Sequence, residues 1–239
     1  MTAARPAPRA VVFDLGGTVS VGGSPPRWRE PWLRLAECLD PSRAGELADR
    51  LLRAEDAAWV ACRDEGRSYT FDRVLAAAGV AADERALSAY RECWRPHTRP
   101  VPGIAGTLRA LRERGLWLGL LSNTIWPREW HLADLAGAGL ADAFDALVFT
   151  SDLDRAKPHP EAFHAVLARC AGLDPGEAVY VGDRMFEDVA GARGAGLRAV
   201  LVSSAASPAG LDPRRPEPDA TVASAAELPR LLDRWRGGG

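Results

Sequence analysis

Five short β-forming runs, each stopping at a polar residue, constrain this chain more than any other feature. Ala10-Val11-Val12-Phe13 stops at Asp14. The runs 116–121, 146–149, 178–181 and 198–202 stop at Ser122, at Thr150-Ser151, at Gly182-Asp183 and at Ser203. They are continuous rather than alternating, so each predicts a strand covered on both faces. Helical patterns lie between them, over 104–114, 130–138, 160–171 and 186–195. Strand and helix in this alternation predict a parallel sheet with helices on both sides, a three-layer Rossmann-like α/β core. A short strand around Ala220-Thr221-Val222 and a helix over 225–235 would close it. Ligands bind at the C-terminal ends of the strands in such sheets. Asp14, Ser122, Lys157 and Asp183 should therefore converge on one crevice, although they are far apart in sequence.

Residues 20–98 break the alternation. They carry no strand signal and four amphipathic helical patterns, over 27–39, 42–62, 70–78 and 82–94. Gly22-Gly23-Ser24-Pro25-Pro26 leads in, and Pro96, Pro100, Pro102 and Gly103 lead out, as hinges would. The predicted organisation is a discontinuous core, 1–19 and 99–239, with an inserted helical cap, 20–98. Net charge is −2 with both signs interspersed, which gives no footprint for nucleic acid and no polybasic membrane face. The longest apolar runs fall far short of the roughly 18 residues that a membrane span needs. Residues 1–9 lack the apolar core of a signal peptide. Cys38, Cys62, Cys93 and Cys170 are scattered, without metal or redox spacing, and read as buried thiols. A cytoplasmic protein, monomeric or homodimeric, is expected.

The basic residues point to chemistry. Of 30, 29 are arginine and one is Lys157. A lysine kept in such a chain marks a place for a compact ammonium where a guanidinium would not fit; leftover surface chemistry is the alternative. Asp14-Leu15-Gly16-Gly17-Thr18 follows a buried strand. A carboxylate there can attack phosphorus, with glycines letting the backbone approach a ligand; it can equally be a turn residue. Gly182-Asp183 and, one helical turn on, Asp188 could join Asp14 in holding Mg²⁺, which takes oxygen ligands, or could simply favour a helix N-terminus. Ser122-Asn123-Thr124 offers hydroxyl and amide donors to phosphate, or a helix cap.

Together these pieces resemble the haloacid dehalogenase superfamily of hydrolases. The order is strand-Asp-x-x-Gly-Thr, strand-Ser-Asn, Lys-Pro-x-Pro, strand-Gly-Asp-x-x-x-x-Asp, and the helical insert lies where the family's class I caps sit. The resemblance covers 10–19 and about 100–235. It implies an Mg²⁺-dependent phosphatase of a small phosphorylated substrate. Asp14 would be nucleophile and metal ligand. Ser122 and Lys157 would hold the phosphoryl group, with Gly17, Thr18 and Asn123 also binding substrate. The Gly16 carbonyl, Asp183 and Asp188 would complete the metal site.

One position departs from the family. Its phosphatases carry a second Asp two residues after the nucleophile, as general acid and base; here that position is Gly16. Losing such a group costs about 10²–10⁴-fold in rate. Three readings follow: a phosphatase for activated leaving groups or with an acid from elsewhere (His97, His131 and His159 being candidates), a non-catalytic protein that binds a phospho-ligand or a partner, or dehalogenase-type carbon chemistry. The phosphonate-cleaving branch is excluded, because 20–98 contain no lysine to form its imine. Trp28, Trp32, Trp59 and Trp94 in the cap region, with Trp126 and Trp130, read as core packing or as an aromatic substrate wall. Arg27, Arg29 and Arg95 are candidates to grip a second anionic group.

Overall fold

The computed structural model describes residues 6–22, 29–203 and 216–237. Six parallel strands form one sheet: β1 (Ala10–Phe13), β2 (Trp117–Ser122), β3 (Ala146–Phe149), β4 (Ala178–Gly182), β5 (Arg198–Val202) and β6 (Ala220–Val222), in spatial order β3-β2-β1-β4-β5-β6. The chain runs outward from β1 through β2 to β3, then crosses back to lay β4 on the other side of β1. That reversal opens a crevice at the C-terminal ends of β1 and β4, which pair in register from Ala10↔Ala178 to Phe13↔Val181.

The continuous apolar strands are buried on both faces, as their patterns predict. In β1, Val11 and Phe13 enter the core beneath α5 (Ile104–Glu113), whereas Ala10 and Val12 enter the opposite core with α7 (Pro160–Leu167). Helix α9 (Leu228–Gly237) adds Leu228, Leu231 and Leu232 to the first core. Each fully buried Val, Leu or Phe contributes about 1.5–3 kcal/mol, so this two-sided burial fixes the height of the strand ends.

Four helices lie between β1 and α5: α1 (Arg29–Leu39), α2 (Ala44–Glu65), α3 (Phe71–Ala77) and α4 (Glu84–Trp94). They form a cap around an aromatic centre. Trp32 stacks on Phe71 at 5.2 Å and meets Tyr90 at 4.5 Å between ring centroids. Ile125 and Trp126, from the loop after β2, complete the same cluster. The predicted cap helices are present, with ends shifted by at most three residues; residues 27 and 28 lie outside the described ones. The two connections between cap and core run side by side, Val21 N–H donating to Arg99 at 2.7 Å and Gly22 N–H to His97 at 3.0 Å. At the far end of α2, Gly66 turns left-handed (φ 65°) and its carbonyl accepts from Ala156, next to Lys157.

Three core helices differ from expectation, α7 among them, which ends at Leu167 where the pattern ran to 171. Helix α6 (Arg128–Gly137) starts two residues early, behind Pro127. The helix expected over 186–195 is a π-helical turn, Met185–Ala190, followed by the short α8 (Gly191–Gly194). The wide turn closes with Val189 N–H reaching Arg184 O.

Candidate active site

The strand ends deliver the predicted residues to one place. Asp14 leaves β1 with its N–H on Val181 O at 2.8 Å. Lys157 is 2% exposed. Its Nζ donates to Asp14 Oδ1 at 2.6 Å, to Asp188 Oδ1 at 2.7 Å and to the Tyr180 hydroxyl at 2.7 Å. The hydroxyl in turn donates to Leu121 O at 3.0 Å. An ammonium has three hydrogens, and all three are used. Burial pushes Lys157 down, but the carboxylates of Asp14 and Asp188 outweigh it and the net shift is upward, so Lys157 stays charged.

Asp183 joins the group, and oxygens of Asp14, Asp183 and Asp188 lie within 4.8 Å of one another. Burial raises Asp14 most, Lys157 opposing and Asp188 adding to the rise. Burial, then the charges of Asp14 and Asp188, push Asp183 up to about 7. Three acids crowded into the crevice outnumber the two cations that act on them, Lys157 and Arg184. Hard divalent cations take all-oxygen donor sets of this kind, so the residues fit such an ion. Asp188 has both oxygens engaged, Oδ1 by Lys157 and Oδ2 by the N–H of Arg184 at 2.9 Å.

The glycines differ sharply. Gly17 has φ +85°, and a Cβ there would sit 2.3 Å from Asp183 Oδ2. Gly17→Ala is therefore expected to destabilise the fold by about 1–3 kcal/mol, from the left-handed backbone and the displaced carboxylate together. A urea titration checks this, and an unchanged midpoint would show that the loop relaxes freely. Gly16 is the opposite case: its φ is not positive, and a Cβ would meet nothing within 4 Å.

A cavity of about 880 Å³ opens over these groups, between cap and core. Asp14, Gly16, Gly17, Ser122, Asn123, Lys157 and Asp183 line it. Thr18 does not; it is 1% exposed, packed beneath the loop. Asn123 is engaged with the Lys157 backbone, Nδ2 donating to its carbonyl at 2.8 Å and Oδ1 accepting its N–H at 2.9 Å. Its side chain thus sets the position of Lys157.

The candidate histidines separate. His131 stacks between Trp126 and Phe149, and burial, with Arg91, pushes it down to about 3. His159 caps α7, accepting from Glu161 N–H, and is not among the cavity residues. His97 lines the cavity, with Nδ1 on Gly22 O at 3.2 Å. Among the tryptophans, Trp32 is core and Trp130 packs against the cap cluster, whereas Trp59, Trp94 and Trp126 line the cavity; Trp28 lies outside the described residues. The arginines singled out from sequence are elsewhere. Arg29 is bound to Asp49 and Arg95 to Glu92, and Arg27 lies outside the described residues. Arg63 and Arg184 line the cavity instead. Of the cysteines, Cys62 is buried, while Cys38, Cys93 and Cys170 are partly exposed. Two residues of the site were missed in the sequence: Tyr180, hidden in a strand, and Glu55, a buried carboxylate of α2 that lines the cavity. Among the described residues no helix is long and apolar enough to cross a membrane.

A Rossmann-like parallel sheet with an inserted helical cap and an acidic cluster around one buried lysine defines a class of hydrolases. Residues 8–196 match the haloacid dehalogenase-like hydrolase family, and the chain belongs to it. It is 35% identical over 237 residues to a phosphoserine phosphatase of Thermus thermophilus, an alignment covering 93% of this chain and 91% of that one. Among solved structures it resembles a phosphatase of the family from Thermococcus onnurineus, with TM-score 0.68 and 26% identity over 94% of this chain and 97% of that one. It also shares its fold with the L-2-haloacid dehalogenase of Xanthobacter autotrophicus, with TM-score 0.64 and 23% identity over 97% and 100% of the two chains.

Proposed function

We propose that this chain is an Mg²⁺-dependent phosphatase of a small phosphorylated metabolite, acting in the cytoplasm through an aspartyl-phosphate on Asp14, with residues 20–98 as the cap over a core of 1–19 and 99–239. The observation that carries the reading is the Lys157 ammonium bound to Asp14 and Asp188, with Asp183 alongside, at the mouth of the β1–β4 crevice. The phosphatase names of the Thermus and Thermococcus proteins support phosphoryl chemistry.

Asp14, the Gly16 carbonyl and Asp183 would hold the cation. Asp188 would act through water, because its oxygens are already engaged. When bound, the ion offsets the charge of carboxylates and phosphoryl oxygens. An Asp14 oxygen attacks phosphorus, and the bond from phosphorus to the leaving oxygen breaks. Lys157 and Ser122 steady the phosphoryl oxygens as charge develops on them. Water then hydrolyses the acyl phosphate, releasing phosphate and restoring Asp14. The leaving oxygen needs a proton that Gly16 has no side chain to give. Of the candidate histidines His97 and His131 line the cavity, and since burial pushes His131 down to about 3, His97 is the candidate to give it.

Phosphate release from acetyl phosphate, 4-nitrophenyl phosphate and a sugar phosphate tests this reading. Turnover of the activated esters with Mg²⁺ is expected, and weaker turnover of the sugar phosphate. Release from none of them would favour a non-catalytic phospho-ligand or partner-binding role, and halide release from a 2-haloacid would favour carbon chemistry. Gly16→Asp should raise kcat on the sugar phosphate by about 10²-fold, since general acids are worth at least that and the position has room for a side chain. No gain in a folded variant would show that leaving-group protonation is not limiting.

A further inference from the structure

The Tyr180 hydroxyl lies in a core otherwise filled by apolar side chains. On β4 the residue pairs with Val12 of β1 and is fully buried on the α7 side of the sheet. Ala10, Val12 and Leu121 share that core, and the Phe163 ring meets the Tyr180 ring edge-on at 5.0 Å. A buried phenol needs partners for its hydroxyl. Tyr180 finds them beyond β1, accepting from Lys157 Nζ at 2.7 Å and donating to Leu121 O, on β2, at 3.0 Å. Burial, with Asp188 and Asp14 nearby, pushes the hydroxyl far up, so it stays protonated and keeps the second bond.

Leu121 is the residue before Ser122, and Asn123 is the residue after it. Both are tied to Lys157. Leu121 is joined through the Tyr180 hydroxyl to the ammonium, and Asn123 through both ends of its amide to the Lys157 backbone, at 2.8 and 2.9 Å. Ser122 itself ends β2, buried at the floor of the cavity. The serine and the lysine come from different segments, yet the chain on each side of the serine is braced to the lysine. Such a brace acts during the reaction. As Asp14 becomes an acyl phosphate it loses its negative charge, and the Lys157 hydrogen aimed at Oδ1 turns to a phosphoryl oxygen. The bonds to Tyr180 and Asp188 are independent of that change and hold the nitrogen in place.

We propose that Tyr180 and Asn123 are positioning residues that brace Ser122 and Lys157 into one anion-holding unit, Tyr180 fixing the ammonium throughout phosphoryl transfer. Neither residue touches the phosphoryl group; both act through Lys157 and Ser122. The inference rests on the phosphatase reading for what the unit holds, and on the hydrogen bonds for the brace itself.

The single lysine makes the brace directly observable, because the full chain labelled with ε-¹⁵N-lysine carries one side-chain ammonium signal. In the parent protein that signal should exchange slowly with water, its three hydrogens being bonded in a buried space. Tyr180→Phe removes only the hydroxyl. It should shift the ¹⁵N signal and speed its exchange at least about tenfold, while circular dichroism stays that of the parent. With acetyl phosphate and Mg²⁺ the same variant should lose about 10–100-fold in kcat, the scale of a hydrogen bond to a charged group. KM should change less than about threefold, as for an interaction that matters in the transition state. Asn123→Ala should likewise move the ammonium signal and lower kcat. Added to Ser122→Ala, Tyr180→Phe should cost less than about threefold more, since residues acting as one unit are not additive. An ammonium signal unchanged in Tyr180→Phe overturns the proposal even where kcat falls, and so does a fully multiplicative loss in the double variant. Should Tyr180→Phe not fold, Asn123→Ala decides by the same signal and the same rate. Phosphate release from none of the esters would sink the phosphatase reading. The ¹⁵N signal then decides the brace alone: a shifted, faster-exchanging signal in Tyr180→Phe supports it, and an unchanged one overturns it.

Discussion

Asp14→Asn is expected to abolish phosphate release, lowering kcat by roughly 10⁵-fold or more, the scale seen when a covalent nucleophile is removed. The fold should survive. The asparagine oxygen can still accept from Lys157 Nζ, and Asp188 remains the charged partner of that ammonium. The substitution also removes one of three acids from a crevice where burial and mutual repulsion already raise Asp14 and Asp183. Thermal unfolding of the variant should therefore stay within a few degrees of the parent, about what a change near 1 kcal/mol produces. The assay is phosphate release from acetyl phosphate with Mg²⁺, read beside circular dichroism. Retained turnover in a folded variant would remove Asp14 from the chemistry and would leave the acidic cluster without its assigned part.

Much of this site was legible because its parts sit at strand ends. An unbroken apolar run followed by Asp, Ser or Gly-Asp reports both a buried strand and the residue it delivers, so Asp14, Ser122 and Asp183 needed no tertiary information. Lys157 stood out by composition alone. What failed was whatever depends on contacts across the fold. Glu55 lies among Arg53, Asp56 and Arg63, a stretch that reads as a solvated helix face. Its burial is created by Trp32, on another helix 23 residues earlier. Tyr180 looks like any aromatic strand residue until the sheet sets its hydroxyl between Lys157 and Leu121. Asn123 read as a phosphate donor, yet the loop carrying Lys157 comes close enough to use both ends of its amide. The π-helical turn has the apolar period of a helix. Its widening follows from Asp188 reaching back to the Arg184 N–H while also meeting Lys157, a demand of the site rather than of the local sequence.

Lys157→Met should cost about 3–5 kcal/mol of stability and nearly all activity. The side chain has similar length and would fill the buried space, so little of the loss comes from packing. It comes from leaving Asp14 and Asp188 facing each other without the ammonium that lies 2.6 and 2.7 Å from them, and breaking one partner out of a buried ionic group has that cost. Tyr180 would lose its donor as well. Lys157→Arg separates charge from shape. It restores the positive charge, but a planar guanidinium cannot point three hydrogens at three converging oxygens in a space that is 2% exposed. The arginine variant is expected to recover part of the stability and little of the activity, as measured by urea unfolding and phosphate release. Full recovery of both would mean that only a cation was needed, and would make the one lysine among 30 basic residues an accident of composition. Loss of activity with stability largely restored would show that the site needs an ammonium, holding nucleophile and acid at fixed distance while leaving the phosphoryl group room to enter.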